Sequence, residues 1–214
     1  MKMNAYKKLF NKLKKNNEGA LVAFTVIGDP DYEASLEIVK KIIDSGADIL
    51  ELGVPFSDPI ADGPTIQSAD IRALKIGMNM DKAFNFIKEV RKYNNKVPIG
   101  LLVYGNLIYQ RGINKFYHDS AKSGVNSILA ADVPLEEADD YIKAARRNKI
   151  DTVFIVSPTT YNERIKKIVN KVTGFVYVIS RLGVTGARLT LEKSTLALVK
   201  RVRKYTKKPL CVGF

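Results

Sequence analysis

Short apolar runs alternate with amphipathic stretches along almost the whole chain, and that alternation narrows the possible folds more than any other feature. The runs are ALVAFTVI at 20–27, ADILELGV at 47–54, VPIGLLVY at 97–104, VNSILAADV at 125–133, DTVFIV at 151–156, GFVYVIS at 174–180 and PLCVGF at 209–214. Between them, stretches such as YEASLEIVKKIIDSGA, MDKAFNFIKEVRKYNN, EEADDYIKAARRNK and EKSTLALVKRVRKYTKK repeat apolar residues at helical spacing and carry Gly or Asn near their ends. Seven strands with helical crossovers are predicted. Regular β-α alternation makes a parallel sheet, and unbroken apolar runs are strands covered on both faces.

Composition removes several classes. At 214 residues, 46% of them apolar, with ten Tyr and nine Phe, the chain can bury a large core as one domain. The single cysteine, Cys211, excludes an internal disulfide framework and suits a reducing compartment. One histidine, His118, rules out multi-histidine metal sites, and no G-x-S-x-G turn supports a serine hydrolase. No metal is expected. The net charge of +13 is spread over many helical faces without interleaved aromatics, which is a solvated surface rather than a nucleic-acid footprint. The basic N-terminus, with Leu9, Phe10 and Leu13 on one stripe, reads as a short helix packed on the domain. No segment has the length of a membrane span, and a cytoplasmic protein is expected.

An open sheet and a closed barrel both fit the alternation. The placement of unusual residues separates them: GDP at 28–30, Glu51, YGN at 104–106, ADVP at 131–134, SP at 157–158 and SRLGVTG at 180–186 all end or follow strands. Special residues at the C-terminal end of nearly every strand are what the ring of loops at a barrel mouth requires. An open sheet gathers its ligand contacts at one switch point, and no G-x-G-x-x-G turn follows the first strand.

Within ELGVPFSDPIADGP at 51–64, strand alternation puts Ile49, Glu51 and Gly53 on one face and Leu50 and Leu52 on the other. With the leucines facing helices, Glu51 points into the barrel near its rim, where desolvation raises a carboxyl pKa and lets it give and take a proton. Asp62 sits in a long βα loop, and long ordered loops in compact domains are usually functional. The competing account is structural: Glu51 paired with a buried Lys, and Asp62 capping the next helix at Thr65 and Ile66. SRLGVTGAR at 180–188 is a second loop of interest. Gly183 and Gly186 permit close backbone approach, Thr185 adds a hydroxyl, and Arg181 and Arg188 offer anion contacts, so phosphate binding, a lid or a plain turn are all open.

Taken together, ELGVPFSDPIADGPTIQ, the upstream GDP, the central ADVP and the downstream SRLGVTG closely resemble the tryptophan synthase alpha subunit family, from about residue 5 to the chain's end. The resemblance implies a (β/α)8 TIM barrel that cleaves indole-3-glycerol phosphate to indole and glyceraldehyde 3-phosphate. It implies no cofactor in this subunit and pyridoxal phosphate in a partner beta subunit. Glu51 takes the family's general acid/base position and Asp62 that of the carboxylate balancing positive charge at the indole nitrogen. Phe24, Leu102, Leu129, Ile155 and Tyr177 match pocket positions, with core packing as the alternative for each. Thr185 matches a loop residue that meets Asp62, and Gly186 a backbone donor to phosphate. Asp58 and Asn106 match positions facing the beta subunit in an alpha2-beta2 tetramer.

The sequence departs from the family at Leu182, where a smaller residue is common, and at its end. It stops at CVGF, in the seventh strand or its loop. The eighth strand, the final helices and the turns that bind most of the phosphate are expected beyond Phe214, so residues 1–214 are expected to be one C-terminally shortened barrel domain. Two other readings compete: a different phosphate-binding barrel, such as a sugar-phosphate isomerase, and an inactive fragment that only binds a partner. The first of these lacks an explanation for the acid pair and for the apolar Phe24, Leu102 and Leu129 lining a ring-sized pocket.

Overall fold

The structure, a computed structural model, describes residues 4–179 and 193–213. Its strands are β1 (Val22–Val26), β2 (Ile49–Gly53), β3 (Ile99–Val103), β4 (Ser127–Ala130), β5 (Asp151–Thr152), β6 (Phe154–Val156), β7 (Val176–Ile179) and β8 (Leu210–Gly213). The helices are α1 (Ala5–Asn16), α2 (Tyr32–Asp44), α3 (Pro64–Lys75), α4 (Met80–Tyr93), α5 (Gly105–Arg111), α6 (Ile113–Ser123), α7 (Asp139–Arg147), α8 (Asn162–Lys171) and α9 (Lys193–Arg203). Every strand pairing is parallel, in the orders β1-β2-β3-β4-β5 and β6-β7-β8.

The seven apolar runs all carry strand, with one correction. The fifth run, 151–156, is divided at Val153: Asp151 and Thr152 pair with β4, while Phe154 to Val156 pair with β7. In a coiling sheet a strand can leave one neighbour before it joins the next. Where β4 and β6 part, a cleft of about 250 Å³ opens, lined in part by Leu129, Val133, Ile155 and Arg164.

Local sequence explains the helix starts. Asp31 accepts from the Ala34 N–H at 2.8 Å and Asn79 from the Lys82 N–H at 3.0 Å, so each caps its helix. α3 begins one residue earlier than the sequence suggests, with Pro64 in its first turn, where a missing N–H costs nothing. Its cap position is held by Gly63.

The strand faces divide as alternation requires. Leu50, Leu52, Leu101 and Val103 are buried in a core shared with Val39, Phe86, Ile87 and Phe116 of α2, α4 and α6. Ile49, Leu129, Val153 and Phe175 form a separate inner cluster, joined by Tyr6 of α1. Tyr6 is 2% exposed, and its hydroxyl lies 2.7 Å from Ser127 Oγ. The Asn4 amide donates to the Asp151 carboxylate. α1 therefore closes the end of the barrel opposite the mouth. Of the expected stripe, Leu13 is buried, while Leu9 and Phe10 are half-buried against the inner cluster. Among the described residues no helix is long and apolar enough to cross a membrane.

Candidate active site

Glu51 lies third in β2, level with Phe24 of β1 and Gly100 of β3. It is 5% exposed. Burial, opposed only weakly by a long 3.4 Å hydrogen bond donated by the Tyr177 hydroxyl, pushes its carboxyl from the ordinary 4.5 up to about 7. Such a group holds and releases a proton near neutrality. Tyr177 is itself held well above the usual phenol range, by burial first and the nearby Glu51 charge second. Burial, then Glu51, likewise pushes the Cys211 thiol up to about 12, which leaves it a neutral apolar lining group. No lysine is bonded to Glu51 among the described residues, so the expected alternative of a buried ion pair does not describe this acid.

Asp62 stands near the end of the loop between β2 and α3 and is 6% exposed. The Tyr104 hydroxyl donates to Asp62 Oδ2 at 2.7 Å and accepts from the Ala61 N–H at 3.1 Å. The Gln67 amide donates to the Asp62 carbonyl at 2.8 Å. The ring of Phe56 stacks on Tyr104 at 4.9 Å between centroids, so both ends of the loop are fastened to the residue that follows β3. The N-cap position of α3 itself is Gly63, one residue after Asp62.

The five apolar residues expected at the pocket all lie within the paired stretches of their strands, and Phe24 pairs with Glu51 itself. Leu102 pairs with Leu129, and Ile155 with Tyr177, which in turn pairs with Cys211. Leu129 is buried, and Phe24, Leu102, Ile155 and Tyr177 are half-buried, leaving apolar surface open beside Glu51. Two glycines make the room. A Cβ on Gly53 would lie 2.9 Å from Phe24 Cζ, and one on Gly213 would lie 2.4 Å from Tyr177. Both rings therefore lie across the neighbouring strand's bare backbone.

Asp58 is exposed in the β2–α3 loop, as expected. Asn106 is exposed too, but stands in the first turn of α5 rather than in a loop, because the chain enters helix directly after Tyr104. Thr185 and Gly186, with Arg181, Leu182 and Arg188, lie outside the described residues. Among the described residues no cluster of three or more His, Cys, Asp or Glu could hold a metal. Sequence reasoning missed Tyr104 as the donor to Asp62, and also Asp70, a buried acid on α3. The YGN strand end was a signal for the first, and the position of Asp70 beside Ala69 and Ala73 on one helix face was a signal for the second.

A parallel α/β fold with a buried acid on its second strand and another in the following loop is a frame suited to acid-base chemistry at the C-terminal ends of its strands. The model of the family described as tryptophan synthase alpha chain matches residues 10–214. The chain belongs to that family. It is 53% identical over 195 residues to the tryptophan synthase alpha chain of Methanothermobacter thermautotrophicus, covering 91% of this chain and 72% of the relative. The Vibrio cholerae alpha chain is 45% identical over 212 residues, covering 99% of this chain and 79% of the relative. A tryptophan synthase structure from Mycobacterium tuberculosis superposes with a TM-score of 0.93 at 31% identity, covering 100% of this chain and 81% of that one. A structure of the tryptophan synthase a2b2 complex from Pyrococcus furiosus superposes with a TM-score of 0.85 at 40% identity, covering 91% and 78%. These neighbours make the fold a TIM barrel.

Proposed function

We propose that this chain is the lyase that cleaves indole-3-glycerol phosphate to indole and glyceraldehyde 3-phosphate in tryptophan biosynthesis, with Glu51 and Asp62 as the catalytic pair. The observation that carries this reading is Glu51: a carboxyl buried at the barrel mouth and pushed to about 7 is protonated in a large fraction of molecules at neutral pH. The reaction needs both of its states. Protonated Glu51 gives its proton to C3 of the indole ring, which leaves a cationic ring nitrogen. As carboxylate it takes the proton of the side-chain hydroxyl. The bond between C3 and the side chain then breaks, its electron pair restores the ring, and the hydroxyl carbon becomes the aldehyde. One proton enters and one leaves, so no redox partner or cofactor is needed.

Asp62 balances the charge at nitrogen, an electrostatic task that works best from a fixed, partly desolvated position. Its hold by Tyr104 at 2.7 Å supports that role. Phe24, Leu102, Leu129, Ile155 and Tyr177 enclose the flat ring, and Thr185 and Gly186 are assigned to the loop that meets Asp62 and the phosphate.

The chain works with a beta subunit, which carries the pyridoxal phosphate, in an alpha2-beta2 assembly like the a2b2 complex of its Pyrococcus relative. Asp58 and Asn106 are assigned to that interface. In support, both are exposed, and Ile60 and Tyr109 nearby in sequence are 80% and 70% exposed, a large apolar allowance for free surface. A cytoplasmic location is proposed from the lone cysteine.

The test is indole release from indole-3-glycerol phosphate by the wild type and by Glu51→Gln, with and without a beta subunit. A fall in kcat of about 10²–10⁴ with KM nearly unchanged is expected for a lost general acid/base. Retention of more than about one percent of the activity would remove Glu51 from that role.

A further inference from the structure

Tyr104 is an unusual residue to start a helix. It is the N-cap of α5, a position that Ser, Thr, Asp or Asn usually fills, and its side chain makes no capping bond. Its hydroxyl is committed elsewhere, to Asp62 Oδ2 at 2.7 Å and to the Ala61 N–H at 3.1 Å. The first N–H of the helix is held from another loop instead: Gly105 donates to Oδ1 of Asp132, in the loop after β4, at 2.6 Å. Bonds to a carboxylate are short in this way. The two segments also approach closely, since a Cβ on Gly105 would lie 2.6 Å from Val133 Cγ2 and 3.3 Å from Asp132 Oδ1.

Asp132 is exposed and forms no ion pair among the described residues. Arg164, which lines the same cleft, is bound to Glu136 through bonds of 2.6 and 2.8 Å. What Asp132 does hold is the backbone directly behind Tyr104. Tyr104 is 2% exposed and its ring stacks on Phe56 at 4.9 Å, so the place of its hydroxyl follows from where that backbone is held. We propose that Asp132 is a positioning residue for the reaction: by holding the Gly105 N–H it sets the backbone of Tyr104, and through the Tyr104 hydroxyl it fixes Asp62. This role rests on the one proposed for Asp62. It uses the carboxylate as an acceptor, and a neutral oxygen in the same place can stand in for it.

Asp132→Ala removes the acceptor, while Asp132→Asn keeps an oxygen there without the charge. In indole formation from indole-3-glycerol phosphate, Asp132→Ala should lower kcat about tenfold with KM within about twofold, and Asp132→Asn should stay within about threefold of the wild type. The route is read from a double-mutant cycle with Tyr104→Phe, which lacks the hydroxyl. There Asp132→Ala should cost less than about twofold, because both substitutions remove the same support. Amide exchange gives a readout that needs no turnover. The N–H groups of Gly105 and Ala61 should exchange about tenfold faster in Asp132→Ala and nearly as in the wild type in Asp132→Asn. Should Asp132→Ala fold poorly, Asp132→Val, which also lacks an acceptor, replaces it in each measurement.

Equal losses of kcat from Asp132→Ala in the wild-type and Tyr104→Phe backgrounds would overturn the proposal, since Asp132 would then act on the substrate or by another path. So would a loss in Asp132→Asn as large as in Asp132→Ala, an unchanged kcat, or unchanged exchange at Gly105 and Ala61. A wild type that releases no indole while those two amides respond as expected would instead overturn the assigned reaction, leaving the hold of Asp132 on the Tyr104 backbone supported.

Discussion

The hydroxyl of Tyr104 stands 2.7 Å from Asp62 Oδ2 and donates to it, joining the strand end of β3 to the loop that follows β2. A hydrogen bond to a charged group contributes about 1.5–3 kcal/mol, and its loss leaves a buried carboxylate less well satisfied. Tyr104→Phe keeps the ring stack with Phe56 and removes only this bond and the one from Ala61. Turnover should drop by roughly 10- to 100-fold, with a smaller rise in KM, since in the role proposed for Asp62 its fixed position matters most when charge develops at nitrogen. Steady-state kinetics of the variant decide it, and unchanged kcat would mean that Asp62 needs no help from Tyr104.

Burial of Glu51 has a consequence for stability that opposes its use. In the unfolded chain the carboxyl ionises near 4.5, and in the fold near 7. Below pH 4.5 both states hold the proton and there is no penalty. As pH rises through 7 the folded state must ionise as well, and the stability present at low pH is lost. A displacement of roughly 2.5 pH units, at about 1.36 kcal/mol each, puts the full penalty at about 3 kcal/mol. Glu51→Gln abolishes this titration. Denaturant unfolding should therefore show the variant to be more stable than the wild type at pH 8, by about 1–3 kcal/mol, with the difference shrinking toward pH 5. A variant less stable at pH 8 would show that the acid is better solvated than its burial implies.

Much of this architecture could be read from the chain because period and placement carry it. Helices expected at 32–47 and 80–95 form at Tyr32–Asp44 and Met80–Tyr93, their starts marked by Asp31 and Asn79. An acid inside the apolar run at 47–54 was enough to single out Glu51. Other features depend on register between distant strands, which a single sequence does not encode locally. The division of the fifth strand at Val153 follows from where β4 and β7 pair, and the space beside Glu51 follows from Gly53 and Gly213 lying under rings of adjacent strands. The N-terminal helix was expected to pack on the domain, but not through Tyr6, whose partner Ser127 lies more than a hundred residues away.

That Tyr6–Ser127 contact should matter for folding and not for chemistry, since it lies at the far end of the barrel from the mouth. Tyr6→Phe leaves the Ser127 hydroxyl buried without its partner, a loss of about 1–2 kcal/mol. For a chain of this size that lowers Tm by roughly 3–6 °C. Adding Ser127→Ala removes the orphaned hydroxyl and should recover part of the loss, a coupling that a double-mutant cycle by calorimetry would measure. Additive effects of the two substitutions would show that the hydroxyls do not interact.

Gly53 offers a way to fill the mouth without touching an acid. Its missing side chain is what lets the Phe24 ring lie across β2: a Cβ there would come within 2.9 Å of Cζ, 3.0 Å of Cε2 and 3.6 Å of Val26 Cγ2. The ring of Phe24 is half-buried at the inner surface, so it can tip away from the new methyl group, and the direction open to it is the space proposed for the indole ring. Overpacking of this kind costs about 1–3 kcal/mol when nothing can move and less when a ring end can swing. Gly53→Ala should therefore raise KM by roughly tenfold, equivalent to about 1.4 kcal/mol of lost ring contact, while Tm changes little. Restoring space with Phe24→Leu in the same chain should bring KM part of the way back. Kinetics and melting of the single and double variants test it, and a large fall in Tm with unchanged KM would place the Phe24 ring in the structural core instead of the pocket.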